Sequence, residues 1–111
     1  LVMGATFKED VSDIRNSKII DIVSELKSFQ VQVDLIDPHA SSSEMEHEYG
    51  VALASETKND YDAVIVAVNH QEYLTLDENY FQSILKDDNG VFVDVKGIYK
   101  NKMKELDYWS L

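Results

Sequence analysis

The chain has 111 residues, 21 Asp and Glu against 10 Lys and Arg, a formal net charge of −11 at pH 7, 44% hydrophobic residues and no cysteine. That length suits one domain with a modest core, and the apolar content excludes a disordered chain. The charge argues against nucleic acid or an anionic membrane as partner, no apolar run approaches the ~20 residues needed to cross a bilayer, and the missing thiols exclude disulfides, thiolate metal sites and a cysteine nucleophile. A cysteine-free acidic domain suits a reducing compartment, and a cytoplasmic location is the expectation.

The first element is the apolar stretch Leu1-Val2-Met3, which reads as a strand already under way. A chain that opens inside a strand is expected to be a piece of a longer protein. The glycine-free stretch TFKEDVSDIRNSK (Thr6 to Lys18) follows and holds three of the ten cations, Lys8, Arg15 and Lys18. From Ser17 to Phe29, Ile19, Ile20, Ile22, Val23, Leu26 and Phe29 share a broad face at helical spacing, with Asn16 or Ser17 as the capping residue. Val31, Val33 and Leu35 then alternate with Gln32 and Asp34, a strand that Asp37-Pro38 ends.

SSSEMEHEY predicts a short, acidic surface helix with a serine cap, and VALA (Val51 to Ala54) a short strand. The continuously apolar AVIVAV, Ala63 to Val68, predicts a central parallel strand covered on both faces. Asp77 to Leu85 reads as a helix, Gly90 as punctuation, and VFVDV as the last strand. Strands alternating with helices, without hairpin signals, predict an α/β fold, a three-layer αβα sandwich with a mainly parallel sheet, in a single domain over residues 1–111.

In such a sheet, ligands bind beyond the carboxyl ends of the strands. Four polar clusters fall there: Phe7-Lys8 through Arg15, Asp37-Pro38-His39, Asn69-His70, and Asp94-Val95-Lys96-Gly97. Between Asp37 and Leu85, Lys58 is the only Lys or Arg against ten acids, so the remaining cations lie toward the two ends of the chain. Brought together by the fold, they would make a local anion site, with arginine adding a planar fork for phosphate. Lys8 and Arg15 serve equally well as partners for Glu9, Asp10 and Asp13. His39 and His70 read as polar loop residues rather than metal ligands, because no His, Asp and Glu cluster has ligand spacing. Tyr108-Trp109 reads as a packing anchor. No nucleophile, base and acid occur in an order that marks a catalytic set.

GATFKEDVSDIRNSKIIDIVSEL, followed by VDLIDPHA, AVIVAVNHQEY and FVDVKGIY, resembles the C-terminal domain of the UDP-glucose/GDP-mannose dehydrogenase family. The pattern F-K-x-D-x-x-D-x-R-x-S is long and irregular, and the similarity runs from Gly4 to the YWSL end. DVKG and YWSL look most like the branch that oxidises UDP-N-acetylhexosamines for surface polysaccharides. The resemblance implies an enzyme with an N-terminal NAD-binding domain, a central helical domain carrying the catalytic cysteine and a dimer contact, and this domain closing over the UDP-sugar. Such enzymes oxidise the sugar C6 alcohol to a carboxylate in two NAD-dependent steps through a thiohemiacetal.

Lacking the cysteine and a glycine-rich dinucleotide loop, this chain would bind substrate within a homodimer or higher oligomer and catalyse nothing by itself. By motif position the resemblance implies that Phe7 and Lys8 contact the UDP-sugar and that Arg15 reaches NAD. Lys96 stands where many members have an arginine near the substrate, keeping the charge without the fork. It implies mainly structural roles for Asp37, His70 and Asp94. A rival of another class is a signalling receiver domain, also acidic and α/β. Gly4-Ala5-Thr6 and Asn69-His70 stand where a receiver needs its acidic pair and phosphoacceptor aspartate.

Overall fold

Alternation sends Val2 and Met3 to opposite faces of one sheet, and each is buried against a different helical layer. A computed structural model describes all residues, 1–111. Its elements are β1 (Val2–Met3), α1 (Ile19–Ser28), β2 (Leu35–Ile36), α2 (Ser42–Tyr49), β3 (Ala63–Val66), α3 (Glu78–Ile84), β4 (Val91–Asp94) and β5 (Asp107–Ser110), with a 3-10 turn at Gln71–Tyr73. The strand order is β2-β1-β3-β4-β5, and every adjacent pair is parallel.

One core packs Val2 and Leu35 of the sheet with Ile19 and Val23 of α1 and Met45 of α2. The other packs Met3, Val64, Val66 and Phe92 with Phe81 and Ile84 of α3 and with Tyr73 and Tyr99. Helices therefore cover both faces, as the αβα reading predicts, and the sheet is wholly rather than mainly parallel. Val66 is 1% exposed and pairs in register with Met3 on one side and Asp94 on the other.

Capping sets the helix limits. Ser41 Oγ accepts the Glu44 amide at the start of α2, and Gly50, at φ 69°, ends that helix. Asp77 accepts the Tyr80 amide at the start of α3. At α1 neither predicted cap is the capping residue: Lys18 holds that position without a side-chain bond. Ser17 Oγ instead bridges the two segments, accepting from the Ile19 amide at 3.3 Å and donating to Ala5 O at 2.8 Å.

Three other expectations give way. The predicted strand from Val31 shrinks to Leu35–Ile36 because the chain is still leaving α1. Gln30 turns left-handed at φ 63°, and the Gln30 and Val31 amides bond back to Lys27 O and Leu26 O. VALA forms no strand; a single bond from the Ala54 amide to Leu35 O holds it beside β2. VFVDV is not the last strand, since β5 pairs with β4 over four residues. As an edge, β5 buries only one face: Tyr108 stacks on Phe92, while Trp109 is 60% exposed and anchors nothing.

Candidate functional site

The strand order reverses between β1 and β3, which opens a crevice beyond their carboxyl ends. Gly4, at φ 104°, lets the two strand ends meet there. An added Cβ would lie 2.6 Å from Val68 Cβ and 2.9 Å from its backbone nitrogen. The loop after β1 then turns back on itself, with the Phe7 amide donating to Asp13 O at 2.8 Å.

Asp37, just past β2, ties the crevice together with a fully enclosed carboxylate. Its Oδ2 accepts the Ala5 amide at 2.6 Å, the Thr6 amide at 3.3 Å and His70 Nε2 at 2.8 Å. Its Oδ1 accepts the amides of His39 and Ala40 at 2.7 and 2.9 Å. Burial alone would raise this carboxyl, but the Ala5 amide, then His70 and the His39 amide, outweigh it and hold it below its ordinary range. His70 is itself fully buried, and its Nδ1 accepts the Asp10 amide at 2.9 Å.

Folding gathers Asp10, His39 and His70, whose ligand atoms lie within 4.8 Å of one another. The expectation that no such cluster forms fails, because these residues are distant in the chain. His70 is nonetheless a poor metal ligand: one ring nitrogen receives an amide proton and the other faces Asp37. His39 Nε2 lies 3.0 Å from Glu72, whose own amide and His39 hold that carboxyl below its usual range.

Phe7 and Lys8 follow β1 and Lys96 follows β4, whereas Arg15 lines a depression with Ser43, Glu44, His47 and Glu48 of α2. Phe7 is 56% exposed, and Lys8 and Lys96 are exposed and pair with no carboxylate. Their strands, β1 and β4, have β3 between them, which spaces them roughly 10 Å apart at the sheet. Arg15 takes the pairing alternative, with Nε and a terminal nitrogen each 3.0 Å from the two Asp13 oxygens. Asp94, fully buried, shapes the Lys96 loop by accepting the Ile98 and Tyr99 amides at 3.1 and 2.8 Å and the Tyr108 hydroxyl. Burial, and then Asp94, push the Tyr108 hydroxyl up to about 12.

A dinucleotide does not fit the β1–α1 turn. Gly4 is filled by Val68, and Ser17 Oγ already occupies the first free amide of α1. At the opposite pole, depressions of about 640 and 950 Å³ share Asp34, Lys58 and Asp60, with Glu56 and Asp62 nearby. Acids outnumber Lys58 in the first, whereas Lys86 joins Lys58 in the second; both lie at the amino ends of the strands, away from the carboxyl edge where this fold takes ligands, and that edge is the candidate site. The structural roles implied for Asp37 and His70 agree with these bonds, while the contacts of Thr6 and Asp10 with His70 had no counterpart in the sequence analysis. No local signal marks them, because Asp10 and His70 lie 60 residues apart.

These features place the chain among doubly wound α/β domains with a polar, cation-bearing crevice at the switch point. The model of the UDP-glucose/GDP-mannose dehydrogenase family, UDP binding domain, matches residues 1–101, and the chain belongs to that family. It is 42% identical over 107 residues to UDP-N-acetyl-D-glucosamine 6-dehydrogenase of Salmonella typhi, covering 96% of this chain and 25% of that protein. It is 37% identical over 99 residues to Protein CapL of Staphylococcus aureus, covering 87% of this chain and 23% of that protein. Among solved structures, UDP-N-acetyl-mannosamine dehydrogenase Cap5O of S. aureus superposes with a TM-score of 0.75 at 26% identity, over 98% of this chain and 25% of that one. The chain thus spans about a quarter of the length of these relatives. The receiver-domain alternative is not favoured.

Proposed function

We propose that this chain is the C-terminal UDP-sugar-binding domain of an NAD-dependent nucleotide-sugar 6-dehydrogenase acting on a UDP-N-acetylhexosamine for surface polysaccharide synthesis. The observation that carries this reading is the family match over residues 1–101, joined to relatives named as hexosamine 6-dehydrogenases. On this reading Phe7, Lys8 and Lys96 contact the UDP-sugar across the rim, where two unpaired ammonium groups suit a diphosphate. Arg15 turns toward NAD. Its pair with Asp13 is fully exposed on the arginine side and is therefore weak enough to exchange for a phosphate.

NAD supplies the hydride acceptor and is held by an N-terminal domain of the same polypeptide, with a central helical domain bringing the cysteine nucleophile. This chain contributes binding and orientation, and alone it turns over nothing. The complete enzyme works in the cytoplasm as a homodimer or a larger oligomer.

Steady-state kinetics of that enzyme test the assignment. Lys8→Ala is expected to weaken UDP-sugar use by about 1.5–3 kcal/mol, the range of a charge-assisted contact. Arg15→Ala is expected to raise KM for NAD more than KM for the sugar. Lys18→Ala, at an exposed position before α1, is expected to be near neutral. If Lys8→Ala and Arg15→Ala lower the melting temperature and leave both constants unchanged, the cations are structural and the assignment fails.

A further inference from the structure

The loop that carries Lys8 has few apolar anchors, since Phe7 is exposed and the next three residues are polar and exposed. Beyond the Ala5 and Thr6 amides held by Asp37, four hydrogen bonds shape it. The Phe7 amide donates to Asp13 O, Thr6 Oγ1 donates to Lys8 O at 2.8 Å, the Asp10 amide donates to His70 Nδ1 at 2.9 Å, and the Gln71 amide donates to Asp10 Oδ1 at 2.7 Å. Asp10 sits in the left-handed region at φ 59°, a conformation that needs such fixing. Three of the four bonds involve His70, its chain neighbour Gln71, or Thr6, whose hydroxyl lies 3.2 Å from His70 Nε2.

These contacts assign the ring's proton. Nδ1 receives the Asp10 amide and so carries none; Nε2 carries it and faces Asp37 Oδ2 and Thr6 Oγ1. The Thr6 hydroxyl spends its own proton on Lys8 O, so its lone pair is free to receive from Nε2. The imidazole therefore acts as a two-ended clamp. One end holds Asp37 and the end of β1, and the other holds the far side of the Lys8 turn.

We propose that His70 is a positioning residue for Lys8: its Nδ1, which accepts the Asp10 amide, fixes the far side of the Thr6–Asp10 turn and so presents the ammonium of Lys8 to the nucleotide-sugar. The inference rests on the role given to Lys8 above. It goes beyond that role by making affinity depend on a side chain that touches no ligand.

Two substitutions separate the ends of the clamp. Asparagine places an amide oxygen near the Nδ1 position and can keep the Asp10 contact, whereas glutamine reaches the Nε2 position and keeps only Asp37. Both remove the same ring packing on His39 and Tyr73. In the complete enzyme, His70→Gln is expected to raise KM for the UDP-sugar about tenfold while KM for NAD changes less than about twofold. His70→Asn is expected to stay within about threefold of the parent.

In a Lys8→Ala background, His70→Gln is expected to add less than about twofold, because its effect passes through the missing ammonium. Equal penalties from His70→Gln and His70→Asn, or a full tenfold penalty in the Lys8→Ala background, would overturn the proposal. Unchanged sugar kinetics in Lys8→Ala alone would overturn the assignment of Lys8 and this inference with it. If the His70 variants do not fold, Thr6→Val tests the same path from the other side. It removes the hydroxyl that holds Lys8 O, and must raise KM for the sugar in the parent but not in Lys8→Ala.

Discussion

Asp37 and Asp94 are two buried carboxylates at the carboxyl edge of one sheet, and they organise their loops differently. Asp94 closes the Lys96 loop with two amides of its own loop and a hydroxyl from β5, all within 14 residues in sequence. Asp37 gathers amides from the ends of β1 and β2 and a histidine that follows β3, across separations of up to 33 residues. The first is a local device that makes one turn rigid. The second is a junction at the switch point, and the positions of three loops depend on it.

The largest effect expected is from breaking β3, one of the two strands between the two carboxylates. Val66 pairs with Met3 and Asp94 and is buried among Val64, Phe81 and Phe92. Val66→Asp would bury an unpaired carboxyl at a cost of several kcal/mol, enough to unfold a domain of this size. Circular dichroism should show no cooperative melt, and a cooperative transition in this variant would contradict the interior placement of β3.

Next in size is the pH response of the junction. The Asp37 carboxyl is depressed in the fold, so its contribution to stability is complete above the unfolded carboxylate pKa of about 3.9. That contribution is lost as pH falls through the lower, folded value. Asp37→Asn removes it at neutral pH, so the gap in melting temperature between parent and variant should be widest near pH 6 and should narrow below about pH 4. A gap independent of pH would show that Asp37 contributes shape and no charge.

The smallest effect sharpens the Asp94 side. Tyr108→Phe deletes one hydroxyl bond to the carboxylate and leaves both loop amides in place. A loss of about 1 kcal/mol in denaturant unfolding is expected, with no change in sugar kinetics. A loss several times larger would mean that β5, rather than the loop amides, holds Asp94.

Hydropathy patterns made the layers legible. The stripe from Ile19 to Leu26, the continuous AVIVAV run and the caps at Ser41 and Asp77 all specify local structure through contacts within a turn or a strand. The weak elements failed for the same reason. β5 is a half-exposed edge with no clean alternation, and the stretch after α1 obeys a helix-ending turn rather than its own strand periodicity.

By itself, the sequence determined the α/β class, the order of the main elements and, through the F-K-x-D-x-x-D-x-R-x-S pattern, the family. It also placed Phe7, Lys8 and Lys96 in segments that follow strands of the sheet. Only the tertiary structure decided that Arg15 rests against Asp13 while Lys8 stays unpaired, and that a buried histidine 60 residues from Asp10 accepts its amide. The physical reason is that hydrophobic burial is periodic and can be read along the chain. Hydrogen bonds between loops depend on which strand ends become neighbours, and the crossing of β3 over β1 sets that.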